Sequence, residues 1–123
     1  MIKEQDTQLL EKTELLIGWL TEKKAENIIS VDVREKCSFT EYLIVCSGMA
    51  GIHNRAIADY IIEKAHQNKY RLLGKEGLNA GTWILLDLND VIVHIFTAET
   101  RELYQLEDLW KKRLIDREQE NED

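Results

Sequence analysis

Proline is absent from this 123-residue chain, and cysteine occurs only twice, at Cys37 and Cys46. Because two lone cysteines form no metal-ligand pattern, we expect free thiols rather than a disulfide or a metal site. The apolar runs are too short to cross a membrane. The first residues also lack the charged-then-apolar layout of a secretory signal. These absences predict a cytoplasmic protein.

An excess of basic charge is missing as well: 23 acidic residues stand against 16 Lys and Arg, which gives a net charge of −7. Phosphate contacts need clusters of Lys and Arg, so we predict no direct nucleic-acid site. The densest basic run, Lys111-Lys112-Arg113, is explained as well by the last turn of a helix as by phosphate. The acidity has two interpretations: attraction to a basic protein partner, or solubility alone.

The length predicts one domain, placed at residues 1–117, followed by an acidic, disordered tail at 118–123. Such a chain buries roughly two thirds of its unfolded surface, enough for a core without disulfides. Hydrophobic periodicity predicts the order α-β-β-α-β-β-β-α and a mixed α/β fold, in which helices flank a central, mostly five-stranded mixed sheet. The predicted helices are 5–24, a segment from the turn at 47–51 to about Lys69, and a segment from Glu99 or Arg101; the predicted strands are 27–34, 42–47, 71–75, 82–87 and 91–97.

Two of these elements carry further information about the core. Strand 42–47 is apolar on both faces, which predicts an inner strand that is covered on both sides. The first helix has apolar residues at helical spacing, which predicts a buried stripe. The predicted stripe consists of Leu9, Leu10, Thr13, Leu16, Ile17 and Leu20, widened by Leu15 and Trp19.

The last two strands form a predicted hairpin with the turn at Leu88-Asn89. If Asp87 pairs with Asp90, Trp83 lies opposite His94. The aliphatic face of this hairpin, which we assign to the core, is Ile84, Leu86, Val91, Val93 and Ile95. The second face is Trp83, Leu85, Ile92, His94 and Phe96. Amphipathic rings suit a partner surface; the alternative is that a helix covers this face and His94 is hydrogen-bonded inside.

The sequence contains only weak indications of a catalytic site. His94 has no neighbouring Ser or Cys with an evident role, and no set of carboxylates converges for two Mg²⁺ ions. A short glycine-containing segment, Gly48-Met-Ala-Gly51, precedes a helix. It is consistent either with a site that binds an anion through backbone amides or with a plain strand-to-helix turn. We therefore predict no catalytic residue, no metal and no cofactor, with a nucleotidyltransferase-like enzyme or nucleotide-binding protein as the alternative.

Several blocks of residues follow one another in a fixed order. They are Ser38–Gly48, Arg55–Asp59 and the run from Glu76-Gly77 through Gly81-Thr-Trp83, Asp87, Asp90-Val-Ile-Val-His94-Ile-Phe96 and Arg101 to Tyr104, Glu107 and Trp110. In this order and spacing they resemble the ribosomal silencing factor family, also called the Iojap family, and the resemblance covers roughly residues 5–112. The chain departs from the family at Glu41, where Asp is usual, and at Ala50-Gly51-Ile52, where a polar turn is usual. The residues taken as family signature are Glu76, Gly77, Asp87, Arg101 and Trp110.

The resemblance implies a regulatory protein without enzymatic activity, on a scaffold similar to that of nucleotidyltransferases. Family members bind the large ribosomal subunit through its L-series protein number fourteen. They block docking of the small subunit and thereby repress translation. The implied contact residues are Trp83, Leu85, Ile92, His94 and Phe96, with Tyr104 and Glu107 beside them.

Two further expectations concern the same region of the chain. Arg101 and Asp87 are expected to form a charged pair near the hairpin end that orients the last helix. The apolar hairpin face also fits a homodimer, which would coexist with ribosome binding if the dimer opens first.

Overall fold

The computed structural model describes residues 4–35 and 40–106. The predicted order of eight elements is confirmed. The short strand predicted at 71–75 lies instead at 74–76, and the predicted tail at 118–123 falls outside the described residues. The elements are α1 (Glu4–Glu22), β1 (Glu26–Asp32), β2 (Tyr42–Gly48), α2 (Gly51–Gln67), β3 (Gly74–Glu76), β4 (Trp83–Asp87), β5 (Val91–Thr97) and α3 (Ala98–Tyr104).

The five strands form one mixed sheet in the order β1-β2-β5-β4-β3. Strands β2 and β5 are parallel, whereas the other three neighbouring pairs are antiparallel. A parallel pair requires a crossover connection, which α2, β3 and β4 provide here. Strand β2 is an inner strand and is buried from Leu43 to Gly48, as its two apolar faces predict.

One face of the sheet packs against α1 and α2 and forms the main core. The aliphatic face predicted for the hairpin is the part of β4 and β5 that enters this core, and its five residues are fully buried. Cys46 also lies in this core as a free thiol. Its burial raises the pKa to about 12, so the thiol remains protonated. The other predicted free thiol, Cys37, lies outside the described residues.

The predicted register of the hairpin is wrong by two residues. Trp83 pairs with Phe96, and Leu85 pairs with His94. Leu88 is fully buried and donates its N–H to the Val91 carbonyl at 2.9 Å, so the turn consists of Asn89 and Asp90. Because side chains alternate with a period of two, a shift of two residues keeps both predicted faces intact.

The buried stripe of α1 differs from the predicted one at Leu10 and Leu15, which are 46% and 40% exposed. Lys12 is buried instead and crosses from α1 to the hairpin turn. Its ammonium donates to the Leu88 carbonyl at 2.7 Å and to Asp90 Oδ1 at 2.5 Å, and it lies over the Tyr70 ring. A buried charge is tolerated when it is paired in this way. The helix is therefore fixed to the turn by a polar contact as well as by apolar packing.

Within the described residues, no helix is both long and apolar enough to span a membrane.

Candidate functional site: an aromatic cluster beside an acidic groove

Four rings meet on the second face of the sheet, at the end where β5 leads into α3. We call Trp83, His94, Phe96 and Tyr104 the aromatic cluster. The Trp83 ring lies 4.9 Å from Phe96 and 4.8 Å from Tyr104, centroid to centroid, and 6.0 Å from His94. These separations are typical of favourable aromatic pairs. Trp83 is thus the centre of the cluster, and it joins its own strand β4 to β5 and α3.

His94 is held in one tautomer by its neighbour. The Trp83 indole Nε1–H donates to His94 Nδ1 at 3.0 Å. Because an indole N–H can only donate, Nδ1 must be the unprotonated acceptor of a neutral imidazole. Burial lowers the His94 pKa to about 4. The imidazole is therefore neutral at physiological pH and anchors the tryptophan.

The exposure of the predicted contact residues divides them into two groups. Ile92 and His94 are each 6% exposed and Phe96 is fully buried, whereas Tyr104 is 54% exposed. Trp83 and Leu85 are half-buried. Helix α3 contacts this face where Tyr104 meets Trp83. His94 is buried and hydrogen-bonded, as the alternative interpretation expected of it. The accessible part of the site is Trp83, Leu85 and Tyr104, and Glu107 lies outside the described residues.

A groove of about 350 Å³ runs beside the aromatic cluster, and we call it the acidic groove. It is lined by Glu76, Gly77, Trp83 and Leu85. Glu76 is exposed and pairs in register with Leu85 across the β3–β4 ladder. Since opposite residues of such a ladder project to the same side of the sheet, the carboxylate borders the apolar groove. The groove thus combines apolar surface with one negative charge.

Gly77 positions Trp83 by close packing of the backbone. Its φ is +81°, and a Cβ atom there would overlap the Trp83 carbonyl oxygen. A side chain is strained in this conformation and also has no room. The loop then closes with a hydrogen bond of 2.9 Å from the Gly81 N–H to the Gly77 carbonyl. The positive φ and the close approach of the Trp83 carbonyl therefore explain why glycine occupies position 77.

The Gly48–Gly51 turn packs tightly against the loop that ends at Gly81. A Cβ at Gly51 would meet the Ala80 carbonyl oxygen, and one at Gly48 would overlap the Asn54 side chain. Asn54 is fully buried and donates from Nδ2 to the Gly81 carbonyl at 2.7 Å. Sequence reasoning missed Asn54, although a polar amide inside an amphipathic helix was a signal for it. These contacts support the interpretation of this segment as a turn.

The expected pair between Arg101 and Asp87 does not form. Asp87 lies beside the hairpin turn and accepts the Asn89 N–H, whereas α3 begins at the opposite end of β5. About five residues of strand separate the two ends, or roughly 17 Å. Arg101 instead donates to the Asn27 carbonyl at 2.6 Å and to Ser47 Oγ at 3.1 Å. Arg101 therefore orients α3, as expected, but by contacts with the ends of β1 and β2.

Among the described residues, no three His, Cys, Asp or Glu side chains lie close enough together to hold a metal ion. Trp110, the remaining signature residue, lies outside those residues.

The His94 geometry predicts a pH-dependent stability. The folded-state pKa is about 4, below the ordinary 6.5, so the unfolded chain binds the proton more tightly. The contribution of neutral His94 to the free energy of unfolding is therefore complete above pH 6.5 and is lost as the pH falls towards 4. Between pH 7 and 4.5 we expect it to cost the parent about 2–3 kcal/mol of unfolding free energy.

Urea unfolding at both pH values measures this loss against that of His94→Gln. The glutamine retains an acceptor for the Trp83 N–H but does not titrate. Both proteins share the same titrating carboxylates, so subtracting the loss of the variant from that of the parent leaves the contribution of His94. His66→Gln, at an exposed position, is the control. Equal losses in the parent and in His94→Gln would show that His94 is not the source.

The fold and the site define a small mixed α/β domain that carries an aromatic cluster bordered by an acidic groove. The family model described as "Ribosomal silencing factor during starvation" matches residues 6–123, and the chain belongs to this family. The resemblance inferred from the sequence blocks is thereby confirmed. Ribosomal silencing factors are regulatory proteins.

Individual relatives agree with this assignment. The chain is 39% identical over 97 residues to the ribosomal silencing factor RsfS of Haemophilus influenzae, which covers 79% of this chain and 95% of that protein. It is 29% identical to a mouse protein named mitochondrial assembly of ribosomal large subunit protein 1, over 84% of this chain and 46% of that protein. A crystal structure of a Chromobacterium violaceum protein superposes with a TM-score of 0.81 at 30% identity, covering 83% of this chain and 85% of that one.

Proposed function

We propose that this chain binds the large ribosomal subunit through a basic ribosomal protein, the L-series protein number fourteen, and blocks association with the small subunit. The observation that carries the proposal is the exposed edge of the aromatic cluster beside the acidic groove. The name of the mouse relative, which refers to assembly of the large subunit, supports the choice of subunit. We place this action in the cytoplasm, with repression of translation as its result.

The contact surface consists of Trp83, Leu85 and Tyr104, with the carboxylate of Glu76 at its border. Aromatic side chains supply most of the binding energy in many interfaces, and a single tryptophan contributes about 2–4 kcal/mol when it is a hot spot. The buried residues Ile92, His94 and Phe96 pack beside Trp83 and Leu85 on the same face of the sheet. We assign them a positioning role and not direct contact.

The mechanism is steric and requires no reacting group. A protein bound where the small subunit docks prevents joining as long as its own affinity is competitive with that of the small subunit. The net charge of −7 favours encounter with a basic ribosomal protein. Repression is therefore expected to depend on the concentration of the protein and to reverse on its removal.

Glu76 provides a test of the charge complementarity. Reversal in Glu76→Lys is expected to weaken large-subunit binding about fivefold to tenfold at low salt, because like charges then meet at the border of the interface. The difference from the parent should shrink as salt is raised, since exposed charges are screened. The same reversal at Asp59, an exposed residue of α2, is the control. An equal effect at both positions would point to net charge and not to the acidic groove.

A subunit-joining assay tests the steric step. Light scattering follows the joining of purified subunits after the protein is preincubated with one of them. Preincubation with the large subunit is expected to slow joining and reduce its extent, whereas equal treatment of the small subunit at a low final protein concentration has little effect. Unchanged joining at saturating protein would contradict the proposal. Thermal stabilisation that requires both a nucleotide and Mg²⁺ would favour the nucleotide-binding alternative instead.

A further inference from the structure

Helix α1 has a notch on its outer side that the fold does not require. Gly18 lies in the interior of this 19-residue helix, has no positive φ, and an added Cβ there would meet nothing within 4 Å. Glycine inside a helix is destabilising relative to alanine. The glycines at 48, 51, 77 and 81 are each explained by a close contact, but Gly18 is not.

The missing side chain opens an apolar groove on α1. The groove has a volume of about 440 Å³, and Trp19 and Leu15 form its apolar wall on either side of Gly18. Leu15 is 40% exposed, which leaves apolar surface in contact with water. When two helices pack, a side chain of one helix fits into the space between residues three or four positions apart on the other. The groove at Gly18 is a space of this kind.

All the charged residues that line this groove are acidic. Glu11, Glu14 and Glu22 surround it. Glu22 accepts a hydrogen bond from the Tyr60 hydroxyl, whereas Glu11 and Glu14 form no ion pair with any described residue. A second copy of this chain would bring the same carboxylates against each other, which is unfavourable. A partner with Lys or Arg around an apolar side chain matches both the shape and the charge.

We propose that the α1 groove is a second docking surface, which takes a basic amphipathic helix of a protein partner. One apolar side chain enters the notch at Gly18, and Lys or Arg residues on either side pair with Glu11 and Glu14. The groove lies on the outer side of a helix that packs against the core face of the sheet, whereas the aromatic cluster lies on the other face. One molecule can therefore hold two partners at once, independently of the function proposed for the aromatic cluster.

The test uses Gly18→Leu, which fills the notch with a good helix former. This variant is expected to be more stable than the parent, with a melting temperature higher by roughly 3 °C, because a helical glycine is removed. The probe is a labelled synthetic peptide of about 18 residues with leucines at helical spacing and lysines elsewhere, and its binding is followed by fluorescence anisotropy. A peptide of the same composition in scrambled order controls for charge alone.

We expect Gly18→Leu to weaken peptide binding about tenfold, and a double reversal, Glu11→Lys with Glu14→Lys, to weaken it at least as much. The scrambled peptide should bind poorly to every form of the protein. Equal binding to the parent and to Gly18→Leu, or equal binding of both peptides, would overturn the proposal. A parent dimer that Gly18→Leu dissociates in sedimentation equilibrium would also overturn it, because the occupant would then be a second copy.

Large-subunit binding separates this inference from the proposed function. Gly18→Leu should bind large subunits as the parent does, because the notch lies away from the aromatic cluster. Loss of both peptide and subunit binding in this stable variant would overturn the claim that the two surfaces are independent.

Discussion

Trp83→Ala is expected to weaken binding to the large ribosomal subunit by more than tenfold, which corresponds to about 1.4 kcal/mol or more. Trp83 contacts Phe96, Tyr104 and His94, and part of it borders the acidic groove. Alanine removes both the exposed anchor and the support for the surrounding rings. Cosedimentation of the variant with purified large subunits, over a range of protein concentrations, measures the loss.

The same substitution also acts on the fold, so two further variants separate the effects. Removal of a large half-buried aromatic ring costs about 2–4 kcal/mol of stability, and urea unfolding must show that the variant is still folded under assay conditions. Tyr104→Ala changes an exposed residue of the same surface and should weaken binding with little loss of stability. Leu10→Ala, which is similarly exposed on α1, should leave binding unchanged. A folded Trp83→Ala that binds as well as the parent would show that the contact surface is misassigned.

Gly77→Ala is expected to lower the free energy of unfolding by about 2–4 kcal/mol. The positive φ of +81° accounts for about 1–2 kcal/mol of this, and the overlap between the new Cβ and the Trp83 carbonyl for the remainder. A displaced carbonyl also shifts the start of β4, so large-subunit binding should fall together with stability. Urea unfolding of the variant measures the effect on stability.

Gly74 offers the matched control, because it lies in the adjacent strand with no positive φ and nothing within 4 Å of an added Cβ. Gly74→Ala should change stability by no more than about 0.5 kcal/mol. If both substitutions cost the same, the loss would reflect the general replacement of glycine in this region and not the contact between Gly77 and Trp83.

Much of the fold was predictable because the hydrophobic periods are regular. The apolar run along 91–97 identifies β5 with its observed bounds, and the two-residue period of a strand assigns Val93 and His94 to opposite faces. The register was not predictable from the same pattern, because shifts of two residues preserve both faces. A missed signal was Leu88, since an apolar residue belongs in the strand and leaves Asn89-Asp90 as the better turn.

The site was predictable only in part, because its accessibility depends on tertiary packing. The sequence placed Trp83 and His94 on one face of the hairpin, and the structure joins them by a hydrogen bond. It did not show that Tyr104 of α3 packs on Trp83 and stays exposed while Phe96 is buried. Nor did it show where Arg101 binds, since its partners at Asn27 and Ser47 are distant in the chain.

The central claim is that this chain binds the large subunit and thereby prevents subunit joining. Sucrose-gradient sedimentation of the purified protein with separated large and small subunits, at two magnesium concentrations, tests it most directly. We expect the protein to sediment with the large subunit alone and to reduce the peak of joined ribosomes at the magnesium concentration that favours joining. Protein that remains at the top of the gradient under both conditions would contradict the account.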